Sequence, residues 1–106
     1  MKLSIIIPAY NEERTVASVL DKVLAQNYGP WEKEIIVVND ASRDATEKKL
    51  RPFLDRIKYL EHKHNQGKGA AIKSGLEAMT GDAVIVQDAD LEYDPADIKL
   101  LLNELE

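Results

Sequence analysis

Apolar positions along this chain fall into two alternating rhythms. Residues 3–7 are an apolar run interrupted only by Ser4 and rich in β-branched side chains, the length of a strand buried on both faces, and Pro8 is expected to stop it. Val16, Val19, Leu20, Val23 and Leu24 then recur at helical spacing, a stripe that one helix face would bury. Asn11 is the expected N-cap of that helix, with Glu12 and Glu13 at its positive end, and Tyr28-Gly29-Pro30 breaks the chain after it. Residues 34–38 repeat the buried-strand pattern and end at Asn39-Asp40. Ser42 or Asp44 is placed to cap a second helix, Asp44 with Glu47 resembling a capping box, and Pro52 should kink or restart it. Residues 57–61 are half polar, as an edge strand would be. The polar loop 62–69 leads into a helix over 68–79, where Gly69, Ala70, Ala71, Gly75 and Ala78 are small enough to let it approach a sheet or ligand. Gly81-Asp82 turns into a fourth strand over 83–87. Asp94 and Pro95 then open a last helix with the stripe Ile98, Leu101, Leu102 and Leu105.

Strand and helix alternate throughout, which predicts an α/β fold: a mostly parallel sheet with right-handed crossovers and helices on both faces. Ligands of such sheets sit outside the carboxyl ends of the strands. Each cluster of unusual polar residues falls at such an end: Tyr10-Asn11-Glu12, Asn39-Asp40, residues 65–69, and Asp88 to Glu92. They predict one site. The last cluster is the densest, placing Asp88, Asp90 and Glu92 where a buried strand meets solvent. Carboxylates there need neutralising, and closely spaced oxygen ligands suit Mg²⁺ or Mn²⁺ holding substrate phosphates. The plainer reading is a strand end followed by a helix cap at Asp94.

Composition narrows the chemistry. The chain has 106 residues, room for one domain, with 44% hydrophobic and 31% charged residues, as in ordinary globular proteins. A net charge of −5 supplies no basic face, so a nucleic-acid partner is not expected. No window approaches a membrane span, and Met1-Lys2-Leu3-Ser4 runs into a strand without the pattern of a secretory signal. Without cysteine there is no disulfide or thiolate site. His62 and His64 lack a third imidazole for zinc, and no serine sits in a nucleophile elbow. Gly67-Lys68-Gly69 matches neither a dinucleotide fingerprint nor a P-loop, so a tight turn at a helix N-terminus is its expected role, with Lys68 a solvated lysine. What remains is acidic: Glu12, Asp40, Asp88, Asp90 and Glu92, with Tyr10 as a flat partner for a base. Carboxylates accept from ribose hydroxyls and base N–H groups but repel phosphates unless a metal bridges them, which suggests a nucleoside diphosphate.

Four ordered stretches, Ile5-Ile6-Ile7-Pro8-Ala9-Tyr10-Asn11-Glu12, Val37-Val38-Asn39-Asp40-Ala41-Ser42-Arg43-Asp44, Asn65-Gln66-Gly67-Lys68-Gly69 and Asp88-Ala89-Asp90-Leu91, resemble the family 2 glycosyltransferases, in particular polyprenyl-phosphate (dolichyl-phosphate) hexosyltransferases such as mannosyltransferases. The resemblance implies the Rossmann-like half of a GT-A fold, with residues 1–106 the nucleotide-sugar-binding N-terminal part of a catalytic domain. It implies that Pro8, Ala9, Tyr10, Glu12, Val38 and Asp40 hold the nucleoside, that Asp88 and Ala89 lie by the ribose and diphosphate, and that Asp90, helped by Glu92, ligates Mg²⁺ or Mn²⁺ in a DXD motif. The implied reaction is inverting transfer of a hexose from GDP-mannose or UDP-glucose, with polyprenyl phosphate as acceptor. A non-catalytic nucleotide-sugar-binding or interaction module is the alternative. Resembling domains continue about as far again, so the acceptor site and the catalytic base, unidentified here, are expected beyond Glu106. On that expectation this stretch alone is inactive, its fourth strand lacks a neighbour and favours self-association, and the parent is cytoplasmic or at the cytoplasmic membrane face.

Overall fold

The computed structural model describes residues 1–89. Seven elements follow the predicted alternation: β1 (Lys2–Ala9), α1 (Val16–Ala25), β2 (Glu32–Asn39), α2 (Thr46–Leu50), β3 (Lys58–Glu61), α3 (Lys68–Ala78) and β4 (Ala83–Val86), with a 3₁₀ turn at Arg51–Phe53 where Pro52 restarts the chain. The strands lie in the order β3-β2-β1-β4, all pairs parallel. β3 is an edge, as its half-polar sequence predicts. β4 is the other edge of the described sheet, with Val84 and Val86 exposed. The expected last helix and the residues Asp90, Glu92, Asp94 and Pro95 lie outside the described residues.

Side chains alternate across the sheet and build two cores. On one face Leu3, Ile5, Ile7 and Ala9 of β1 and Ile35 and Val37 of β2 meet Val16, Val19, Leu20 and Val23 of α1, with Leu50 and Phe53. All four α1 residues are fully buried, each worth about 1.5–3 kcal/mol relative to exposure. The opposite face is smaller: Ile6, Ile36 and Val38 meet Ala71 of α3. Here α3 comes close because it is made of small residues. A Cβ at Gly75 would stand 2.6 Å from Ile6 Cγ2, so even alanine would force the Ile6 side chain or the helix to shift.

Three local expectations are corrected. β1 continues through Pro8 to Ala9, because β4 has left the ladder at Val86 by the point where the missing N–H would face it. Asn11 does not cap α1, which starts only at Val16; it sits at φ 52°, and its Oδ1 accepts from the Arg43 N–H while its own N–H donates to Ser42 Oγ. Ser42 is thereby drawn to the β1 loop. Asp44 takes the turn instead, its Oδ1 accepting from the Thr46 N–H and its Oδ2 from the Glu13 N–H. Polar side chains that can cap a helix can also tie two loops together, and here tertiary geometry favours the ties.

Candidate functional site

The carboxyl ends of β1, β2 and β4 and the start of α3 surround a cleft of about 470 Å³. Pro8, Ala9, Tyr10 and Glu12 enter it from β1 and its loop, Asp40 from β2, Asn65, Gly67, Lys68 and Ala71 from the α3 side, and Asp88 and Ala89 from β4. Seven residues implied by family resemblance therefore meet at one cleft. Val38 does not line it; its side chain is buried against Ile6, Ile36 and Ala71. Asp90 and Glu92 lie outside the described residues. The loops at this edge are stapled together: the Glu12 N–H donates to Thr46 Oγ1 at 2.8 Å, and Thr15 Oγ1 donates to the Ala89 carbonyl at 2.7 Å, tying α1 to the end of β4.

Asp40 is the most constrained acid of the cleft. Its Oδ1 accepts from the Gln66 N–H at 2.9 Å and from His62 Nδ1 at 2.8 Å, and its Oδ2 from the Gly67 N–H at 2.8 Å. Burial alone would raise its pKa, but these donors outweigh it and hold the carboxyl below the usual range. Gly67 has φ 94°, which a side chain would strain, and this turn aims its N–H at Asp40. Asp40 thus bonds the two N–H groups just before α3, which supports the tight-turn reading of the glycine loop. A carboxylate has about four lone-pair positions. Partners among the described residues use three, and one on Oδ2 remains.

Lys68 is not merely solvated. Its ammonium forms an ion pair with Asp88 Oδ1 across the cleft mouth, so the start of α3 supplies a cation to the acid at the end of β4. The sequence also carries a missed partner in His62. Asn39 pairs with Glu61 in the β2–β3 ladder, so the next residues, Asp40 and His62, are neighbours by register. Aligning the two strand ends would have found that pair. Ser74, whose Oγ is 2.8 Å from His62 Nε2, gave no such signal, because its approach depends on how closely α3 packs.

Among the described residues no group of three His, Cys, Asp or Glu side chains is placed to hold a metal ion. Asp88 nevertheless aims one carboxylate into the cleft mouth and pairs there with a cation, so its surroundings suit positive charge.

This all-parallel sheet with a polar cleft at its carboxyl edge is a Rossmann-like α/β fold, and its solved structural neighbours are GT-A glycosyltransferases. The sequence profile of Glycosyl transferase family 2 matches residues 4–106, and the chain belongs to that family. Dodecaprenyl-phosphate galacturonate synthase of Rhizobium johnstonii is 33% identical over 111 aligned positions, covering 100% of this chain and 33% of the relative. A mannosyltransferase of Pyrobaculum calidifontis, solved with GDP-Man and Mn²⁺, superposes with a TM-score of 0.76 at 30% identity, over 83% of this chain and 27% of that one. Glucosyl-3-phosphoglycerate synthase of Mycobacterium tuberculosis, solved with Mn²⁺, UDP and its product, gives 0.79 at 28% identity, over 98% and 39%. The chain spans about a third of the length of the curated relatives it matches.

Proposed function

We propose that residues 1–106 are the nucleotide-sugar-binding N-terminal part of a glycosyltransferase catalytic domain. In this reading the protein transfers a hexose from GDP-mannose or UDP-glucose to polyprenyl phosphate with inversion. The observation that carries the reading is the convergence of Tyr10, Glu12, Asp40 and Asp88 on one cleft at the carboxyl edge of the sheet. Support comes from the family, from solved neighbours holding GDP-Man or UDP with Mn²⁺, and from a relative named for a dodecaprenyl-phosphate product.

In this reading the nucleoside lies between Tyr10 and the wall formed by Pro8 and Ala9, and Asp40 accepts from an N–H of the base through its remaining lone pair. Asp88 lies toward the ribose and diphosphate, with Lys68 beside it. Asp90 and Glu92 would hold Mg²⁺ or Mn²⁺, which when bound supplies Lewis-acid stabilisation of the departing diphosphate. An oxygen of the acceptor phosphate attacks the anomeric carbon from the face opposite the diphosphate. A new carbon–oxygen bond forms as the sugar–diphosphate bond breaks, so the configuration inverts. Such an acceptor, anchored by its lipid tail, would set the reaction at the cytoplasmic face of a membrane.

The test has two parts. Titration calorimetry of UDP and GDP is expected to show binding that is strengthened by Mn²⁺ and weakened by EDTA, and equal affinity in both conditions would reject the metal bridge. Transfer of labelled hexose to polyprenyl phosphate by the full-length protein, lost in EDTA, is the second expected result. Nucleotide-sugar binding without any transfer would favour the non-catalytic module. Asp90→Asn, which keeps size and one carbonyl oxygen, should remove Mn²⁺-dependent binding with a loss of about 2–5 kcal/mol.

A further inference from the structure

His62 is a largely enclosed imidazole, its side chain 11% exposed, with a partner on each ring nitrogen, and the proposed transfer does not use it. Nδ1 lies 2.8 Å from Asp40 Oδ1 and Nε2 lies 2.8 Å from Ser74 Oγ, so one chain of side chains crosses from the end of β2, past the end of β3, into the middle of α3. We propose that His62, backed by Ser74, is a positioning residue for nucleoside recognition: it fixes the rotation of the Asp40 carboxylate so that the remaining Oδ2 lone pair faces the cleft. The proposal rests on the nucleoside-binding reading of Asp40 given above.

The terminal torsion of an aspartate is soft, so its two oxygens exchange places unless their partners differ in position. Two of the Asp40 donors, the Gln66 and Gly67 N–H groups, come from adjacent residues where the loop after β3 enters α3. A loop that carries both donors can shift with the carboxylate and so restrains its rotation weakly. His62 is the third donor and comes from a separate element, the end of β3. Its own N–H donates to the Asn39 carbonyl at 2.9 Å, which seats its backbone on β2, and its ring is pinned to α3.

At the Asp40 end the hydrogen-bond direction follows from the carboxylate. Asp40 is ionised and accepts from all its partners, so Nδ1 carries a hydrogen. Ser74 Oγ, 2.8 Å from Nε2, holds the other ring nitrogen and so fixes the plane of the ring, as outer partners do for metal-bound imidazoles. The order serine, histidine, aspartate is that of a hydrolase triad. Here, however, the ligand-facing end is the aspartate: Asp40 lines the cleft and Ser74 does not.

The experiment compares the parent chain with His62→Leu, His62→Asn, Ser74→Ala and Asp40→Asn, reading UDP and GDP affinity in excess Mn²⁺ by calorimetry and folding by circular dichroism. His62→Leu should weaken nucleotide binding about tenfold or more, the scale of a lost outer-shell partner. His62→Asn places an amide N–H near the former Nδ1 and should recover most of the loss. Ser74→Ala, which leaves the His62–Asp40 bond in place, should weaken binding less than His62→Leu does. Nitrogen-15 NMR of the parent should find the His62 hydrogen on Nδ1, and this reading does not depend on any variant folding. A hydrogen on Nε2 alone, or parental affinity in folded His62→Leu, would overturn the proposal. A merely structural histidine would lower thermal stability in the leucine and asparagine variants alike, with no affinity difference between them. If Asp40→Asn loses binding while His62→Leu keeps it, the positioning role fails alone. Parental affinity in Asp40→Asn, or no nucleotide bound by the parent, would sink the nucleoside-binding reading and the positioning role together.

Discussion

Two acids at opposite edges of one sheet, Asp40 buried and Glu34 largely so, show how the same interactions serve two ends. Glu34, on β2 near the amino edge, accepts at Oε1 from Ser4 Oγ and the Thr80 N–H and at Oε2 from Thr80 Oγ1 and the Lys58 ammonium, at 2.7–2.8 Å. Every lone-pair position is filled. Burial would raise its pKa, yet Lys58, Thr80 and Ser4 outweigh burial and lower it to about 2. Glu34 thereby ties the loop before β4 to β1, β2 and β3. Gly81 completes this clasp, since a Cβ there would stand 2.4 Å from Ser4 Oγ. Asp40, at the carboxyl edge of the same strand, has three donors and one position left over, and it opens on a cleft. A closed acid holds the fold, and one with a lone pair to spare is equipped to hold a ligand.

The largest expected effect breaks that contrast at Asp40. Asp40→Asn should cost about 2–5 kcal/mol in UDP or GDP affinity, because a desolvated charged contact is lost. Glu34→Gln should leave the affinity of the folded molecules unchanged while lowering unfolding free energy by about 1.5–3 kcal/mol, the scale of hydrogen bonds to a charged group. Calorimetry paired with urea unfolding reads both quantities. If Glu34→Gln weakens nucleotide binding and Asp40→Asn does not, the two edges have been assigned the wrong way round.

The two acids also predict an acid limb. Glu34 has a folded pKa below its ordinary 4.5, so the stability it contributes is present above that value and is lost as pH falls toward about 2. The size of that loss is about 3 kcal/mol. Asp40 and Asp44, both lowered by the donors around them, add to it in the same direction. Urea midpoints measured between pH 6 and pH 2 should fall steeply in the parent and less steeply in Glu34→Gln. Parallel curves would show that Glu34 does not carry the limb.

The contrast between edges was half legible in the sequence. Asp40 could be placed at the carboxyl end of a buried run, since strand ends follow from apolar length, and family resemblance then gave it a ligand. Glu34 could not be distinguished from any polar residue at a strand start, because its partners come from three other segments: Ser4 on β1, Lys58 on β3 and Thr80 before β4. For the same reason Lys68 reads as a solvated lysine until α3 is docked beside β4. Sequence periodicity reports which face of an element is buried. It does not report which polar tips meet when faces are pressed together, and that is why the elements were predictable while Asn11, Ser42 and Ser74 had partners no spacing rule supplied.

Lys68 sharpens the comparison on a smaller scale. It is exposed, so its effect should be modest: Lys68→Ala is expected to weaken UDP by up to about 1 kcal/mol, the upper range for an exposed ion pair. Uridine, which has no diphosphate, should lose less. An equal loss for both would place Lys68 by the nucleoside instead of the phosphates.

The smallest effect lies one residue beyond Asp40, where the backbone turns. Ala41 has φ 59°, in the left-handed region that a Cβ disfavours, and the turn lets the Ser42 N–H reach Asn39 Oδ1 at 3.0 Å. Left-handed backbone costs a non-glycine residue roughly 1–2 kcal/mol. Glycine would remove that strain but would also free the unfolded chain, which takes back up to about 1 kcal/mol. Ala41→Gly should therefore stabilise the fold by only about 0.5 kcal/mol and leave UDP affinity unchanged, since neither Asp40 nor its donors move. Ala41→Val is the opposing control, because a β-branched side chain tolerates this conformation worse, and it should destabilise. If Ala41→Gly destabilises while Ala41→Val is neutral, residue 41 does not hold the left-handed turn, and the route by which β2 delivers Asp40 to the cleft has to be redrawn.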